Sequence, residues 1–497
     1  MQTRVREMIV AAIAEGWLRP ETPLPSSRAL ADCLCVARNT ILLAYQQLVD
    51  EGVLESRARS GYFVCPQAKP MRPDMAGRDE PSGAGVDWSA RLRAYPSRQR
   101  NIAKPREWSS YPYPFIYGQF DPAIFPANDW RECVRQALSV LEIRGWAADM
   151  IDGDDVYLIE QLRTRVLPRR GIWAGPDEVM VTLGAQQALY ILAHLLVGRD
   201  DVVGIEDPGY PDARNIFRLR TPHVVPVPVD DEGAIADRIP DACSVLLLTP
   251  ARHCPTGVTL SAARRASLLQ LAAERDILLI EDDYESNFGL SSDAASTLRA
   301  HDPSGRVSYV GSLSKTLAPG LRLGFIVGAP DLIREARALR RLMMRHPPTN
   351  NQRAMALFLA LGHFDRHLRR CVDVLTERAL VMRSALAEHM DGFECRFGTG
   401  GSSAWVRGPE GFDSRRLAAG ARDAGVLIEP GDVFFLDDQP PLNFFRLGFS
   451  AIPTHRIEAG IELLGRLARA AEQSSPVPER PASSGAALDA AHRAVSG

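Results

Sequence analysis

Apolar positions near the start of the chain recur with a helical period. The first stripe consists of Val5, Met8, Ile9, Ala12 and Ile13. Its spacing predicts an amphipathic helix, and Gly16 is expected to close it. Pro25 and the serines that follow it supply a stop and an N-cap, which predict a second helix opening at Ala29.

A third helix and two short strands are predicted next. The apolar stripe of this helix is Ile41, Tyr45 and Leu48. The helix is expected to begin at Arg38 and to end at Gly52. Residues 53–55 and 61–64 have the pattern of two short strands around a turn. Three helices followed by a β-wing are therefore expected.

From about Trp108 onward, short apolar runs alternate with helical stretches. The apolar runs cover residues 179–182, 202–205, 244–248, 277–280, 307–310 and 324–327. A helix is predicted over 185–196, directly after the first run. Strands separated by helices favour an α/β fold with a mainly parallel sheet covered on both faces.

These patterns divide the chain into four expected segments. Residues 1–66 form a winged helix-turn-helix domain, 67–107 a linker, 108–472 an α/β domain and 473–497 a disordered tail. Prolines recur throughout residues 66–107, and basic residues outnumber acidic ones there by nine to five. This composition predicts a semi-stiff basic tether. Its charge either helps to hold DNA or merely keeps the tether solvated.

Composition narrows the classes of function. The formal net charge is −3, so the chain offers a polyanion no bulk attraction, and binding to DNA would depend on a local basic surface. Neither an apolar run of about 18 residues nor a signal-peptide pattern occurs, so a cytoplasmic protein without a membrane partner is expected. The eight cysteines form no CxxC pair and no zinc-spaced cluster with histidine, which predicts free thiols and no metal site.

The candidate chemistry centres on Lys315. It stands in Ser312-Leu313-Ser314-Lys315, and Arg322 follows seven residues later. An amine among hydroxyl groups, with a guanidinium nearby, suits condensation with an aldehyde cofactor that carries a phosphate, such as pyridoxal phosphate (PLP). The hydroxyls of Ser312 and Ser314 and the Arg322 guanidinium are candidate phosphate donors. Gly184-Ala185-Gln186, at a predicted strand-to-helix turn, would add backbone amides and a helix N-terminus.

Four further residues match the other needs of such a cofactor. Tyr210 offers an aromatic face for the ring, and Asp282 a carboxylate for the pyridine nitrogen at a strand end. Tyr284 lies two residues further, on the same side of an extended strand, where it can reach the ring hydroxyl. Arg446 suits bidentate binding of a ligand carboxylate.

Each of these residues also has a structural explanation. A lysine after Ser-x-x is usually a surface lysine, an Asp-x-Tyr at a strand end is usually a cap or turn, and a lone tyrosine usually belongs to a core. The cofactor hypothesis is favoured because the candidate groups occur in one order and most follow predicted strands.

The order of motifs resembles known families. Gly-Ala-Gln-Gln-Ala-Leu, Asp-Pro-Gly-Tyr-Pro, Thr-Pro-x₄-Pro-Thr-Gly, Glu-Asp-Asp-Tyr, Ser-Leu-Ser-Lys and Arg-Leu-Gly-Phe-Ser resemble fold-type I aminotransferases. Leu-Pro-Ser-Ser-Arg, Arg-Asn-Thr and Ser-Gly-Tyr-Phe-Val near the N-terminus resemble a GntR-type winged helix. Their fusion resembles the MocR/GabR family of PLP-dependent bacterial transcriptional regulators. The implied fold is a fold-type I domain with a small C-terminal α/β subdomain, preceded by the winged helix.

The resemblance implies roles for the candidate residues. Lys315 would form the Schiff base, with Asp282 at the pyridine nitrogen, Tyr284 at the ring hydroxyl and Tyr210 stacked on the ring. Ser312 and Arg322 would bind the phosphate, and Arg446 would meet the acidic group of an effector. The implied DNA contacts are Arg28, Arg38, Asn39 and Thr40, with Gly61 at the tip of the wing. A homodimer with the cofactor near its interface is also implied.

Two departures from the families stand out. Aminotransferases carry an asparagine before Pro-Thr-Gly that bonds the ring hydroxyl, whereas this chain has Cys254. A thiol is a weak hydrogen-bond donor, so the site is less suited to transamination; the resembling regulators lack that asparagine as well. The predicted first helix also starts almost at Met1, where relatives carry several preceding residues, so either the helix is short or the start is late.

The leading hypothesis is therefore a promoter-binding regulator that senses an amine or amino acid through aldimine exchange at Lys315. The module at residues 1–65 has seven arginines and seven acidic residues, so useful affinity requires two copies joined in a dimer. Alternatives are an active aminotransferase, a regulator that binds its effector without cofactor, and a helical module used only for docking. Compounds sensed in the resembling family include GABA, taurine, ectoine derivatives, D-alanyl-D-alanine and PLP itself, and the sequence does not select among them.

Overall fold

The chain folds into two units, Met1–Arg93 and Ala94–Gly497. The structure is a computed structural model that describes residues 2–58, 60–66, 86–285, 297–398 and 400–473. The first part of the predicted linker, from 67 to 85, and the predicted tail beyond 473 lie outside the described residues.

The first unit consists of a helical bundle and a β-hairpin. Its elements are α1 Gln2–Ala14, α2 Ser27–Cys33, α3 Arg38–Asp50, β1 Leu54–Arg57, β2 Gly61–Val64 and α4 Trp88–Arg91. The two strands are antiparallel, with Leu54 opposite Val64. Ser26 caps α2 by accepting a hydrogen bond from the Ala29 amide. The predicted three helices and β-wing are confirmed.

The core of this unit follows the predicted stripes, with one exception. Val5, Ile9 and Ile13 of α1 pack with Ile41, Tyr45 and Leu48 of α3. The buried Tyr45 hydroxyl donates to the carbonyl of Pro25 at 2.8 Å, which ties α3 to the turn before α2. Met8 was expected on the apolar stripe but is 43% exposed. The buried face of α1 consists only of Val5, Ile9 and Ile13, which are spaced four residues apart.

The second unit alternates helices and strands. Its helices are α5 Ala127–Ala137, α6 Val140–Trp146, α7 Val156–Gln161, α8 Ala185–Leu196, α9 Pro211–Arg218, α10 Ala262–Arg275, α11 Ser314–Leu317, α12 Pro330–Met344, α13 Thr349–Ala360, α14 His363–His389, α15 Ser414–Asp423 and α16 Thr454–Gln473. Its strands are β3 Tyr113–Pro114, β4 Val179–Thr182, β5 Val202–Asp207, β6 Val224–Asp230, β7 Gly233–Ala234, β8 Cys243–Leu248, β9 Leu278–Asp283, β10 Val307–Ser312, β11 Gly324–Val327, β12 Glu394–Phe397, β13 Ser403–Arg407, β14 Val426–Leu427, β15 Glu429–Pro430 and β16 Phe444–Gly448. Among the helices described in either unit, none has the length and apolarity needed to span a membrane.

Eight strands form the main sheet, in the order β4-β11-β10-β9-β8-β5-β6-β7. The central neighbours from β10 through β6 are parallel, while β11 and β7 run antiparallel to their neighbours. All six predicted strands belong to this sheet, and the expected α/β architecture is confirmed. Alternate residues enter different cores: Val179 and Val181 pack on one side, and Met180 on the other.

Strand β6 was not predicted from the sequence. It contains Pro226 and Pro228, and proline normally argues against a strand because it cannot donate to the ladder. On one side β6 pairs with β5 over most of its length. On the other side β7 pairs with Val229 and Asp230, beyond both prolines. The prolines are thus tolerated near an edge of the sheet.

The C-terminal part is a smaller α/β layer. Its antiparallel sheet has the order β12-β13-β16-β15, and α14 packs along α16 beside it. Phe445 and Leu447 of β16 enter one core with Ile457 and Ile461 of α16. This layer positions Arg446, whose neighbours across the sheet are Trp405 on β13 and Glu429 on β15.

A buried ion cluster joins α12 to the start of the main sheet. Asp154 accepts hydrogen bonds from Arg340 at 2.6 Å, Arg337 at 2.7 Å and the Val181 amide at 3.1 Å. Arg340 is fully buried and also donates to the Val181 carbonyl at 2.5 Å. A buried charge left without its partner is strongly destabilising.

We expect Asp154→Ala to lower the free energy of unfolding by about 3–5 kcal/mol, since it leaves Arg340 buried and unpaired. The measurement is urea denaturation followed by circular dichroism. Asp331→Asn is the matched control, because Asp331 pairs with Arg334 at 2.6 Å but both side chains are largely exposed. The control is expected to cost less than about 1 kcal/mol. Equal losses in the two variants would contradict a structural role for the buried cluster.

Candidate functional site

The carboxyl ends of β4, β5, β8, β9 and β10 lead into one cavity of about 310 Å³. This volume lies in the range of about 300–1,000 Å³ that is usual for ligand clefts. The structure brings together every residue predicted to hold the cofactor or the effector: Gly184, Ala185, Gln186, Tyr210, Asp282, Tyr284, Ser312, Lys315, Arg322 and Arg446. Strand ends of an α/β sheet are where ligands of this architecture bind.

Lys315 lies on the short helix α11, and its amine faces two tyrosines. Its Nζ is 4.2 Å from the centroid of the Tyr117 ring and 5.5 Å from that of Tyr284. Burial lowers the pKa of Lys315 to about 8, with Lys104 and Arg446 contributing in the same direction and Glu285 opposing them. The unprotonated fraction of the amine near neutral pH is therefore larger than for an exposed lysine, and the unprotonated form is the one that acts as a nucleophile.

Asp282 presents a carboxylate that lacks a donor. Its Oδ1 is buried and has no hydrogen-bond partner among the described residues. Burial, and secondarily Asp283, raise the pKa of Asp282 to about 7. The neighbouring Asp283 accepts hydrogen bonds through its Oδ2 from Tyr309 at 2.7 Å and Arg170 at 2.9 Å, while its Oδ1 also has no partner in the described part of the chain. An orphaned acceptor facing a cavity fits a ligand that brings a protonated ring nitrogen.

The turn after β4 is shaped for an anion. Gly184 has a φ of +77°, and a Cβ on it would come within 3.2 Å of the Arg322 guanidinium. A side chain there would therefore fill the space between this turn and Arg322. Helix α8 begins at the next residue, so its N-terminal amides face the same space. Arg322 donates to the Leu183 carbonyl at 2.8 Å, which holds its guanidinium beside the turn.

The two serines near Lys315 differ in what they offer. Ser314 was a candidate phosphate donor, but its hydroxyl donates to the Leu323 carbonyl at 3.0 Å and accepts from the Leu323 amide at 2.6 Å. It therefore fixes α11 to the chain that leads into β11. Ser312, at the end of β10, also lines the cavity, and its Oγ lies 3.5 Å from the Lys315 amide.

The aromatic side of the cavity is held by hydrogen bonds. The Tyr210 hydroxyl donates to Asp212 at 3.0 Å, and Asn101 donates to the other oxygen of that carboxylate. Tyr284 packs edge-on against Tyr117, with ring centroids 6.3 Å apart. Cys254 lines the same cavity, and burial raises the pKa of its thiol to about 11. The residue that replaces the aminotransferase asparagine is thus a neutral thiol, one of the eight cysteines, all of which are free.

The acid end of the cavity contains an ion pair. Arg446 Nε donates to Glu429 Oε2 at 2.8 Å, and both side chains are buried. Although burial opposes it, Glu429 raises the pKa of Arg446 further above its usual value. Likewise Arg446 and Lys104 hold the pKa of Glu429 below its usual value despite its burial. Arg446 therefore remains a cation at every physiological pH.

Three cavity or near-cavity residues were missed from the sequence: Lys104, Tyr117 and Glu285. Lys104 falls in the stretch predicted as a linker, where a basic residue carries no signal. Glu285 follows the Glu-Asp-Asp-Tyr motif and accepts hydrogen bonds from Tyr117 at 2.7 Å and Ser402 at 2.6 Å. The aromatic run that ends in Tyr117-Gly118 was the signal that could have marked this wall.

The predicted DNA contacts lie on the first unit. Arg38, Asn39 and Thr40 form the first turn of α3, whose N-cap, Ala37, provides no side-chain hydrogen bond. Arg38 and Asn39 are exposed, as are Arg28 on α2 and Gly61 at the start of β2, while Thr40 is half-buried. Arg38 also donates to the Ser27 hydroxyl at 3.2 Å. The structure thus exposes an uncapped helix N-terminus with two of the predicted side chains beside it.

Known protein families match both the N-terminal winged helix and the α/β domain. Residues 1–64 match the bacterial regulatory proteins of the gntR family, and residues 154–464 match aminotransferase class I and II. The chain is 42% identical to the HTH-type transcriptional regulator TauR of Rhodobacter capsulatus, over 94% of this chain and 96% of that protein. It is 30% identical to the probable rhizopine catabolism regulatory protein MocR of Rhizobium meliloti, over 96% of each.

Solved structures resemble the second unit. Pyrococcus horikoshii kynurenine aminotransferase, in complex with PMP, superposes with a TM-score of 0.70 at 26% identity, over 79% of this chain and 98% of that chain. The α-aminoadipate aminotransferase LysN of Thermus thermophilus gives a TM-score of 0.70 at 26% identity, over 78% and 100%. The class defined by fold and site is a DNA-binding transcription regulator with a fold-type I aminotransferase-like domain, which implies PLP. The chain belongs to the MocR-type, GntR-related family of transcriptional regulators.

Asp282→Asn is expected to stabilise the protein when it is stripped of PLP, and to do so more as pH rises. The folded-state pKa of Asp282 is raised to about 7 from 3.8, so wild type loses stability as pH rises from the lower value to the higher and then reaches a plateau. The asparagine variant has no such loss. Melting temperatures of both proteins at pH 5, 6, 7 and 8 test this.

Asp241→Asn is the control, because Asp241 is 92% exposed beside Arg275. Its melting temperature is expected to follow wild type throughout. A constant difference between Asp282→Asn and wild type from pH 5 to 8 would contradict the assignment of a neutral, buried carboxyl to Asp282.

Proposed function

We propose that this regulator senses an amine or amino acid in its aminotransferase-like domain and changes its occupancy of promoter DNA in response. The observation that carries the proposal is one cavity shared by the Lys315 amine, the orphaned Asp282 carboxylate and the Arg446 guanidinium. We place the protein in the bacterial cytoplasm. We also propose residues 1–66 as the DNA-binding domain, 67–107 as the linker, 108–472 as the sensor domain and 473–497 as a tail.

The residues around the cavity fit PLP. When bound, PLP supplies an aldehyde carbon that condenses with a primary amine, either that of Lys315 or that of an incoming effector. Gly184, Ala185 and Gln186 would hold its phosphate with their amides and α8, together with Ser312 and Arg322. Asp282 would accept from the ring nitrogen, Tyr284 would meet the ring hydroxyl and Tyr210 would stack on the ring.

The effector would be held by its two ends. Its amine would take the place of Lys315, whose lowered pKa allows the displaced side chain to leave as a neutral amine and to accept a proton. Its acidic group would meet Arg446. A ligand that fits one arrangement of the domains better than another shifts their populations, and this differential affinity is all that regulation of DNA binding requires.

A working aminotransferase is the rival function, and Cys254 argues against it. The thiol stays protonated because burial raises its pKa to about 11, and a thiol is a weak donor to the ring oxygen. Sustained exchange between an amino acid and a keto acid, lost in Lys315→Ala, would support the rival. A purified protein that stays colourless after addition of PLP would instead support an effector that binds without cofactor.

DNA recognition is proposed at the first turn of α3. Asn39 can pair with an adenine edge in the major groove, and Arg38 can reach guanine or phosphate. The uncapped amides of this turn suit a backbone phosphate. Arg28, Thr40 and Gly61 of the wing would complete the contact surface. Because residues 1–65 have no net charge, we propose that two copies bind together.

A homodimer is proposed through an apolar surface on the second unit. Several large apolar side chains are exposed there: Leu138 at 56%, Val140 at 73%, Leu141 at 77%, Val156 at 75% and Leu342 at 84%. The elements that carry Val140, Leu141 and Val156 are tied together, because Arg353 of α13 bonds to Glu142 of α6 and to Asp155 before α7. Exposed large apolar side chains on adjoining elements are typical of a protein interface.

The central experiment separates the two halves of the function. Full-length protein loaded with PLP is screened against amino compounds by absorbance, and DNA occupancy is measured on fragments selected from genomic DNA. Lys315→Ala is expected to abolish both the spectral response and the effector-dependent change in DNA occupancy. Asn39→Ala is expected to keep the spectral response but to weaken specific DNA binding by about tenfold or more, the worth of a bidentate base contact.

Gln46→Ala is the matched control for the DNA arm, since Gln46 is exposed on the same helix away from its N-terminus. It is expected to bind DNA like wild type. Specific binding that persists in Asn39→Ala would show that the recognition residue is wrongly assigned. A wild-type protein whose DNA occupancy ignores every compound that changes its spectrum would contradict the sensor function.

Introducing charge on the apolar surface is expected to break the dimer. Leu141→Asp combined with Val156→Asp places two carboxylates where a partner would bury leucine and valine. Light scattering after gel filtration should give twice the chain mass for wild type and the chain mass for the variant. Leu380→Asp is the control, because Leu380 on α14 is 65% exposed outside this surface. A monomeric wild type at the concentration that saturates DNA would contradict the proposal.

A further inference from the structure

Residues 99–104, here called the strap, are bonded to the second unit although they belong to the predicted linker. The Arg100 guanidinium donates to the main-chain oxygens of Phe435 at 3.2 Å and Asp437 at 2.5 Å. The Arg100 carbonyl accepts from Arg214 at 2.8 Å and Asn215 at 3.0 Å. These contacts on one residue fix the path of the strap beside the cavity.

The strap places Lys104 inside the cavity wall. Asn101, Ile102 and Lys104 all line it. Lys104 donates to the Tyr117 carbonyl, and its side chain is 24% exposed. A Cβ on Gly118 would lie 3.2 Å from Lys315 Nζ and 3.8 Å from Lys104 Nζ. The two amines therefore approach the same point of the backbone.

Glu429 is shared between two cations. Its Oε2 accepts from Arg446 at 2.8 Å, and its Oε1 lies 3.1 Å from Lys104 Nζ. Two positive charges and one negative charge leave the cluster with one positive charge in excess. The Arg446 guanidinium lies against the rings of Tyr117 and Phe434, at 4.2 and 4.7 Å from their centroids. Among the described residues, its Nη atoms have one hydrogen-bond contact, the weak one with the Cys254 sulfur at 3.8 Å.

A buried excess of positive charge favours binding of one anion. The Nη groups of a guanidinium that lack a strong acceptor and a nearby ammonium can both donate charge-assisted hydrogen bonds to the same oxyanion. A singly charged group neutralises the cluster, whereas a doubly charged group leaves an uncompensated negative charge and a neutral ligand leaves the positive charge unpaired. The geometry thus distinguishes ligands by the charge of their acidic end.

We propose that Lys104 and Arg446 together bind the acidic group of the effector, and that the effector is an amino compound with one singly charged oxyanion. Glu429 holds the two cations in place and sets the charge that they accept. This inference deepens the proposed function and rests on it, because the other end of the ligand is taken to react at Lys315. Lys104 is a specificity-determining residue contributed by the strap.

The test compares amino compounds of matched length on full-length, PLP-loaded protein. The probes carry a carboxylate, a sulfonate, a phosphonate or no acid, and each is titrated by absorbance. Wild type should prefer the carboxylate or the sulfonate compound to propylamine. In Lys104→Met this preference, expressed as the ratio of the two Kd values, should fall by about tenfold or more, the usual worth of a charged hydrogen bond. Lys104→Arg should retain most of the preference.

Arg106→Met is the matched control. Arg106 lies two residues further along the same segment and is exposed, so its removal changes the net charge of the protein equally without touching the cavity. Its preference ratio should equal that of wild type. An equal loss in Arg106→Met and Lys104→Met would overturn the inference, because it would reflect general attraction of anions.

Glu429→Gln is a second variant, and it is expected to change the ligand preference in the opposite direction. Removing the shared carboxylate raises the excess charge of the cluster, so the preference should shift from the singly charged acids toward the phosphonate compound. An unchanged order of preference would contradict the charge balance on which the inference rests.

Two different outcomes distinguish the role of Lys104 from the sensor function as a whole. A wild-type spectrum that responds to acidic amino compounds while Lys104→Met keeps the wild-type ratio overturns the role of Lys104 and leaves the proposed function standing. A wild-type protein that takes up PLP but responds to no amine overturns the proposed function and this inference with it.

Discussion

The burial of Asp282 without a hydrogen-bond donor is the constraint on which the site depends. An ionised carboxylate in that position is destabilised by the loss of water, so the group responds by holding a proton to about neutral pH. The two carboxylates that flank Asp282 on β9 have hydrogen-bond donors. Asp283 is fixed by Tyr309 and Arg170, and Glu281 accepts the amides of Leu298 and Arg299. Glu281 and Asp283 thus each accept hydrogen bonds, although Asp283 Oδ1 has no partner within the residues that the structure describes, and Asp282 is the one of the three that lines the cavity. Its Oδ1 is left for a ligand that brings a donor, at a cost in stability to the ligand-free protein.

Two further cations lie near Lys315 and affect its protonation. Arg446 and Lys104 share Glu429, and both cations lie close enough to Lys315 to lower its pKa in addition to the effect of burial. The groups that prepare the acid end of the cavity thus also favour the unprotonated amine at the other end. Glu285 opposes this effect, and its own charge is fixed by Tyr117, Ser402 and Arg252. The balance among these groups, rather than any single contact, sets the state of the amine.

Local sequence predicted the residues that belong to single motifs. Lys315, Asp282 and Tyr210 could be found because each stands in a short pattern at the end of a strand, and the carboxyl ends of neighbouring strands meet at one edge of the sheet. Lys104 and Glu429 could not, because they come together through the strap and through the pairing of β15 with β16, which no local pattern encodes. The strand β6 was missed because of its two prolines, which are tolerated because β7 pairs with β6 beyond them. Met8 was misplaced because the buried face of α1 is narrower than the apolar stripe. Predictions failed where long-range packing overrode a local rule.

The strap has a consequence for how the two halves of a regulator can be coupled. A ligand can act most directly on the DNA-binding domain where part of its cavity lies on the segment that leads toward that domain. Residues 99–104 line the cavity, and the same backbone continues without interruption toward the first unit. Any ligand that alters the contact between Lys104 and Glu429 therefore changes the anchoring of the connecting segment itself. A coupling of this kind does not depend on rearranged packing in the hydrophobic core, because the segment that lines the cavity is part of the connection to the first unit.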